Sequence, residues 1–320
     1  MASEASLKHT LRMLTQRAAD SLRYRAGVVA AAILPEFVLT TIMSVRGYRA
    51  RFGVFPNILG PRTYNEKILH RILFDRRPIL QTLQDKYAVR RYISERGLSD
   101  ILPRLHWVTQ TPSDIPFDDL PRRFVVKPTH GSGWYALIYD QTAMDRARLI
   151  AECDAWLRQN YYDSYREWAY KHIEPRILVE EYIDDGTGPY PLRYRLGVFG
   201  GRVGIVEVNV GKQGENASFY TPSPWTRLAA RFADYETLDR PIPAPWHLAE
   251  MIRHAEILAA DLDFVRVDMF DTPEKPYFGE MTITPGAGRL PFVPREFDLY
   301  LGSLWQTQPH PFPSLSKLRR

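Results

Sequence analysis

Two short segments near the end of the chain restrict its fold more than any other feature. Residues 264–270 (Phe-Val-Arg-Val-Asp-Met-Phe) and 277–283 (Tyr-Phe-Gly-Glu-Met-Thr-Ile) each have strand length and a largely apolar character, and only the connection 271–276 separates them. Side chains alternate along a strand, so Arg266 and Asp268 share one face while Val265, Val267 and Met269 point to the other. The same period aligns Glu280 with Thr282. If the strands pair antiparallel, a carboxylate from each points into one cleft. Two carboxylates a few ångströms apart repel unless a proton or a cation intervenes. Magnesium is the natural cation, because it prefers oxygen ligands and commonly combines one or two carboxylates with phosphate oxygens. From spacing alone, solvated acids on an exposed sheet face remain the alternative. Arg266 beside them suits charge developing on a transferring phosphoryl or acyl group, or a structural salt bridge with Asp268.

A second constellation lies earlier. Residues 124–127 read as a short strand that ends at Pro128, and the turn Thr129-His130-Gly131-Ser132-Gly133 leads into another strand over 134–139. Lys127 can reach phosphate oxygens, and the peptide N–H groups around Gly131–Gly133 form a positive concavity. This is not a strand-to-helix P-loop, since the Gly-Lys-Ser or Gly-Lys-Thr ending is absent, and no Gly-x-Gly-x-x-Gly turn occurs. His130 is a further candidate contact to phosphate or substrate.

Apolar periodicity organises the rest. Residues 1–50 read as helices, and 65–74 as another. A helix capped by Asp75, with Pro78 in its first turn, carries Ile79, Leu83 and Tyr87 on one face, Lys86 on its polar face, and stops near Gly97. Residues 105–108 return into a sheet, 143–170 are helical, and 176–183 form a strand running into Glu180-Glu181. A hairpin covers 194–199 and 203–210, a helix covers 248–258, and 212–245 shows no clear period. This is a mixed α/β (α+β) pattern.

The 42 Lys and Arg against 37 Asp and Glu favour anionic partners without selecting one. Aromatic residues are scattered and no recognition motif accompanies the charge, which argues against nucleic acid. The single cysteine, Cys153, excludes an intrachain disulfide and a thiolate metal cluster. Lys8, Arg12, Arg17, Arg23 and Arg25 precede the apolar stretch 26–34, but the basic region is too long and the apolar run too short for a signal or a membrane span. A cytoplasmic location is expected, with peripheral contact at the inner face of a membrane as an open alternative for this end.

Taken in order, Lys127-Pro128-Thr129-His130-Gly131-Ser132-Gly133, Glu180-Glu181-Tyr182-Ile183, Arg266-Val267-Asp268 and Phe278-Gly279-Glu280-Met281-Thr282-Ile283-Thr284-Pro285 resemble the TupA-like ATP-grasp family. That family is associated with teichuronopeptide and other surface polysaccharide biosynthesis. The likeness extends from about Asn65 to Gly302.

The resemblance implies an ATP-grasp fold, with the nucleotide between two mixed α/β lobes and a helical N-terminal region added. The expected units are a helical extension over 1–60, an N-terminal lobe over 61–126, a small lobe over 127–190, a C-terminal lobe over 191–308 and a mobile tail over 309–320. It further implies that Lys86 and Lys127 hold ATP phosphates under the loop His130, Gly131, Ser132, Gly133. Glu180, Glu181, Tyr182 and Ile183 match the hinge that meets adenine and ribose. Arg195 stands where a lysine is usual, and Arg193 where aspartate is frequent. Arg266 and Lys127 would act on the transferring group, and Asp268, Glu280 and Thr282 would hold Mg2+, the threonine replacing the asparagine of many ATP-grasp enzymes.

The implied reaction is an ATP-dependent carboxylate–amine ligation through an acylphosphate. The carboxylate would be a small molecule or glycan-linked uronic acid, and the amine an amino acid or peptide. An ATP-dependent glycan kinase or glycosyltransferase-like enzyme is the alternative activity. A non-catalytic nucleotide-binding module is a further alternative, against which the retention of both lysines and both acids argues.

Overall fold

The computed structural model describes residues 35–188, 190–211 and 216–307. The N-terminal stretch as far as Leu34, with the proposed membrane-facing segment, and the tail 309–320 lie outside the described residues.

The chain enters through helices α1 (Glu36–Phe52), α2 (Tyr64–Phe74), α3 (Ile79–Gln84) and α4 (Ala88–Ser94). Strands β1 (Leu105–Thr109), β2 (Phe124–Pro128) and β3 (Ala136–Ile138) are followed by helices α5 (Arg146–Leu157) and α6 (Tyr161–Tyr165) and strand β4 (Ile177–Glu181). Then come β5 (Arg193–Phe199), β6 (Arg202–Val210), β7 (Asn216–Pro222), β8 (Trp225–Arg227) and β9 (Arg231–Phe232). Helix α7 (Leu248–Leu258), strands β10 (Phe264–Asp271), β11 (Pro276–Thr282) and β12 (Phe292–Val293), and helix α8 (Glu296–Leu304) complete it.

Two sheets dominate. The smaller has four strands in the order β1-β4-β2-β3, and the larger has six in the order β11-β10-β5-β6-β7-β8. Leu149, Cys153 and Trp156 of α5 cover the small sheet by packing on Phe124, Val126, Ile177 and Val179. The large sheet is covered on both faces. Leu196, Val198, Val206, Val208, Val265 and Val267 meet α3, α4 and α7 on one side. On the other, Phe199, Phe219 and Phe264 join Tyr64, Phe292, Phe297 and Trp305. The border expected between 126 and 127 falls inside β2, and β1 pairs with β4 of the same small sheet.

Local chemistry explains most element ends. Thr63 and Glu66 form a reciprocal capping box at the start of α2, with each side chain accepting from the other's backbone N–H. The helix expected to run to Gly97 is instead broken into α3 and α4. The Asp85 carboxylate accepts from the N–H groups of Tyr87 (2.8 Å) and Ala88 (3.2 Å), so it starts a new helix rather than continuing the old one. Lys86 therefore lies in a break between helices and not on a solvated helical face. The 143–170 region likewise divides into α5, α6 and a 3-10 turn at Trp168–Tyr170. Strand β7 was hidden in the aperiodic 212–245 stretch. Its Ala217 and Phe219 face one apolar layer and Tyr220 the other, and a strand buried on both faces shows no alternation.

A buried ionic hub joins α2 to the sheet. The Arg71 guanidinium donates to Phe264 O (2.8 Å), Ile283 O (3.1 Å) and Asp263 Oδ1 (2.7 Å). Asp263 also accepts from Arg77 (2.7 Å) and from the Trp305 indole (2.8 Å). Burial alone would raise the Asp263 carboxyl, but Arg71, Arg77 and Trp305 hold it down at about 2. Removing one partner of such a hub leaves an uncompensated buried charge. Asp263→Ala is expected to destabilise the fold by about 3–5 kcal/mol, read from the urea unfolding midpoint. A loss within the range of an ordinary surface substitution contradicts a supporting role for the hub.

Candidate functional site

The floor of the site is the β10–β11 pair. Arg266 stands opposite Thr282 and Asp268 opposite Glu280, and one step further Met269 pairs with Phe278, so Gly279 is left unpaired in a bulge. Glycine relieves crowding there, because a Cβ would lie 3.0 Å from Asp268 O and 3.2 Å from the Phe270 ring. The bulge changes the side-chain parity of β11. Glu280 keeps the polar face while Phe278 turns into the apolar layer with Met269 and Met281.

An alternating charge network crosses this floor. Arg266 grips Asp268 with two bonds, Nε to Oδ1 (2.6 Å) and Nη2 to Oδ2 (2.8 Å), and Nη2 also donates to Thr282 Oγ1 (3.1 Å) and approaches Glu280 Oε1 (3.5 Å). On the neighbouring strand Arg195 donates to Glu207 (2.7 Å), while its Nε stands 3.2 Å from Asp268 Oδ2. Asn209 donates to Glu207 (3.3 Å) and accepts from Arg193 (3.0 Å). Burial raises the Asp268 carboxyl against the pull of Arg266 and Arg195. For Glu280, burial is outweighed by Lys86, Arg266, Arg195 and Arg193, which hold it at about 2 and thus ionised.

The facing wall comes from the small sheet and the helix break. Lys127 pairs with Glu180 Oε2 (2.5 Å), and Arg90 holds Glu180 Oε1 (3.0 Å). Lys86 donates to Gly131 O, and burial lowers its pKa, opposed by Glu280. Lys86, Lys127, Glu180 and Glu280 thus line one cleft, together with Arg90, Tyr170, Leu83, Val89, Pro103, Phe278 and Met281. Asp268 lies behind Glu280, only 2% exposed and enclosed by the two guanidiniums.

The glycine turn is folded tightly. A Cβ on Gly131 would come within 2.3 Å of the Trp134 ring, and Gly133 has φ +74°, which favours glycine. His130 does not face the cleft. Its buried Nε2–H donates to the carbonyls of Trp156 (3.0 Å) and Gln159 (3.1 Å) at the end of α5, and burial lowers its pKa. In the expected hinge only Glu180 lines the cleft. Glu181 accepts from Arg104 N (3.0 Å), Tyr182 meets Tyr139 edge-on, and Ile183 is buried.

Sequence reading missed Arg90, Glu207, Asn209, Tyr170 and Glu167. The alternation of Glu207 and Asn209 with Val206 and Val208 was a usable signal. Arg90 and Tyr170 carried none, since their approach depends on tertiary packing. Glu167 is buried, accepts from the Thr284 hydroxyl, and is pushed up to about 7 by burial.

No group of three or more His, Cys, Asp or Glu able to hold a metal occurs among the described residues. The opposed Asp268 and Glu280, with the Thr282 hydroxyl, supply hard oxygen donors of the kind Mg2+ takes, Glu280 at the cleft and Asp268 engaged by Arg266 and Arg195. No helix among the described residues is long and apolar enough to cross a membrane.

Comparison with known proteins brings in the family. The profile described as TupA-like ATPgrasp matches residues 66–306. Among solved structures the chain is similar to D-alanine–D-alanine ligase from Bacillus anthracis complexed with ATP, at 17% identity over 64% of this chain and 54% of that one, with a TM-score of 0.40. It is also similar to L-amino acid ligase from Bacillus licheniformis (16% identity, 64% of this chain, 44% of that chain, TM-score 0.40). A third is phosphoribosylamine–glycine ligase from Thermotoga maritima (12% identity, 73% of this chain, 57% of that chain, TM-score 0.40). The chain spans about half the length of these solved relatives. The comparison with curated proteins found no match.

The buried Glu167 makes stability depend on pH in a defined direction. Its folded pKa is raised from 4.5 to about 7, so its stabilising contribution is fully present below about pH 4.5 and is lost as pH rises through about 7. The difference corresponds to roughly 3 kcal/mol. Glu167→Gln should flatten this part of the stability profile, measured as unfolding midpoints between pH 5 and 8. A wild-type profile no steeper than that of the variant contradicts a neutral buried Glu167.

Proposed function

Because this chain belongs to the TupA-like ATP-grasp family, whose profile covers residues 66–306, we propose that it is an ATP-dependent carboxylate–amine ligase working in the cleft between its two sheets. The observation that carries this reading is the meeting of Lys86 and Lys127 on one wall with Glu280, Asp268 and Arg266 on the opposite floor.

Each cationic group has a provisional partner that a nucleotide phosphate can replace. Lys127 exchanges Glu180, and Lys86 exchanges Gly131 O, for phosphate oxygens, while peptide N–H groups of the glycine turn close over them. Glu180 then stands near the nucleotide sugar, positioned by Arg90. Asp268, Glu280 and Thr282 would hold Mg2+, which when bound neutralises charge between the carboxylates and the terminal phosphates. Arg266, kept protonated by Asp268 and Glu280, offsets charge on the transferring phosphoryl group, and Arg195 supports the same floor.

In the proposed reaction a substrate carboxylate oxygen attacks the terminal phosphorus of ATP, giving an acylphosphate and ADP. An amine nitrogen then attacks the acyl carbon, phosphate leaves, and the amine gives up a proton as the amide forms. Positioning and charge compensation supply most of the acceleration. The substrate pair proposed is a uronic-acid carboxylate of a surface glycan or its precursor with an amino acid or peptide.

Mass spectrometry of mixtures containing the enzyme, ATP, Mg2+, uronic acids and amino acids tests the reading. An amide product with ADP and phosphate supports it, whereas a phosphorylated or glycosylated product rejects it. Two variants test the site itself. Lys127→Ala should weaken ATP binding about tenfold or more, followed by calorimetric titration. Glu280→Gln should stay folded by circular dichroism, lose turnover on the order of 100-fold, and need more Mg2+ for half-saturation. Equal turnover and equal Mg2+ demand in wild type and Glu280→Gln would sink the metal-ligand assignment.

A further inference from the structure

We propose that Arg193, seated on Asn209, is an oxyanion-binding position on the cleft floor that takes a phosphate or carboxylate group of a bound ligand. The proposal rests on that cleft being the ligand site, and it adds a contact that neither the metal-type carboxylates nor the two lysines provide.

The register places it there. Arg193 pairs with Asn209 and Arg195 with Glu207, while Arg195 stands opposite Asp268 on the next strand. Two-residue alternation therefore puts Arg193 on the same face as Arg195, Asp268 and Glu280. Asp268 and Glu280 act on its charge, so it lies within their electrostatic reach.

Its partners set it apart from the other guanidiniums of the site. Arg266 is matched by Asp268, Arg195 by Glu207, and Arg90 by Glu180. Arg193 donates only to neutral acceptors, Asn209 Oδ1 (3.0 Å) and Gly211 O (3.3 Å), and both bonds come from Nη2. Among the described residues no carboxylate accepts from it. Among the described residues Nε and Nη1 make no hydrogen bond, and neither is among the sealed, unpartnered buried atoms.

The chemistry follows from the surplus. One terminal NH2 group suffices to hold Asn209 and Gly211, and a glutamine amide could supply it. The positive charge and two further donors serve neither contact. Burial lowers the Arg193 pKa and Arg195 repels it further, with Asp268 and Glu280 offsetting this only in part. A half-buried guanidinium with no carboxylate on it among the described residues is relieved by an incoming oxyanion, and a planar fork of donors matches carboxylate and phosphate alike.

The test compares wild type, Arg193→Gln and Arg193→Lys by calorimetric titration with three probes: inorganic pyrophosphate, MgADP and galacturonate. Circular dichroism checks folding. Arg193→Gln should lose about tenfold in affinity for at least one probe, and Arg193→Lys should recover part of it. A loss confined to pyrophosphate and MgADP assigns the anion to the nucleotide; a loss confined to galacturonate assigns it to the acid substrate. Folded Arg193→Gln that binds all three probes as wild type does overturns the proposal while leaving the ligase reading intact. If wild type does not bind MgADP but binds another probe through Arg193, the ligase reading fails and the oxyanion position stands. Wild type that binds none of the three overturns the proposal as well.

Discussion

One unpaired residue organises the floor of this protein. Gly279 breaks the β10–β11 ladder after the Asp268–Glu280 pair, and the extra residue lets Glu280 face the cleft while Phe278 enters the core beside Met269. Without the bulge, strict alternation would put Phe278 on the same face as Glu280, so either an aromatic ring would occupy the charged floor or the carboxylate would enter the apolar layer. A Cβ at 279 would crowd Asp268 O at 3.0 Å. The position of the carboxylates thus depends on a backbone feature that glycine, lacking a Cβ, accommodates without crowding.

Around that pair, charge is arranged by mutual compensation. Buried acids and guanidiniums cost free energy unless each finds a partner, and the sequence of contacts Glu207, Arg195, Asp268, Arg266, Thr282 meets that demand across four strands. Glu280 is the least satisfied carboxylate of the floor. It receives no bidentate grip, yet surrounding cations keep it ionised at about 2. A charged acid held by distant cations rather than by close hydrogen bonds retains lone pairs for an incoming cation. The lysines show the complementary condition, because Lys86 rests on a backbone carbonyl and Lys127 on Glu180, contacts that a phosphate can outcompete.

Much of this was legible without coordinates, and the reasons differ from residue to residue. The facing of Arg266, Asp268, Glu280 and Thr282 follows from strand period and a short connection, which are local properties. The hairpin of β5 and β6 and helix α7 were visible for the same reason. Lys86 was located, and the family resemblance gave it to the phosphates, but periodicity set it on the polar face of one continuous helix, whereas the Asp85 side chain starts a new helix there and leaves the lysine in the break. His130 was drawn toward the cleft by its neighbours in sequence, whereas the carbonyls at the end of α5, distant in sequence, claim its ring nitrogen. Strand β7, covered on both faces, left no period to read.

The sequence by itself determined the strand pair, the opposed carboxylates, the lysine before the glycine turn and the membership in an ATP-grasp family, because each rests on short-range periodicity or on an ordered set of local motifs. Tertiary structure alone decided which groups neutralise which. Arg90 and Lys127 converge on Glu180, Arg195 bridges Glu207 and Asp268, and Arg193 is left with neutral partners among the described residues. Those outcomes depend on strand order β11-β10-β5-β6 and on the approach of two sheets. Ion pairing falls off over a few ångströms and ignores separation along the chain, so it cannot be read before the chain has folded.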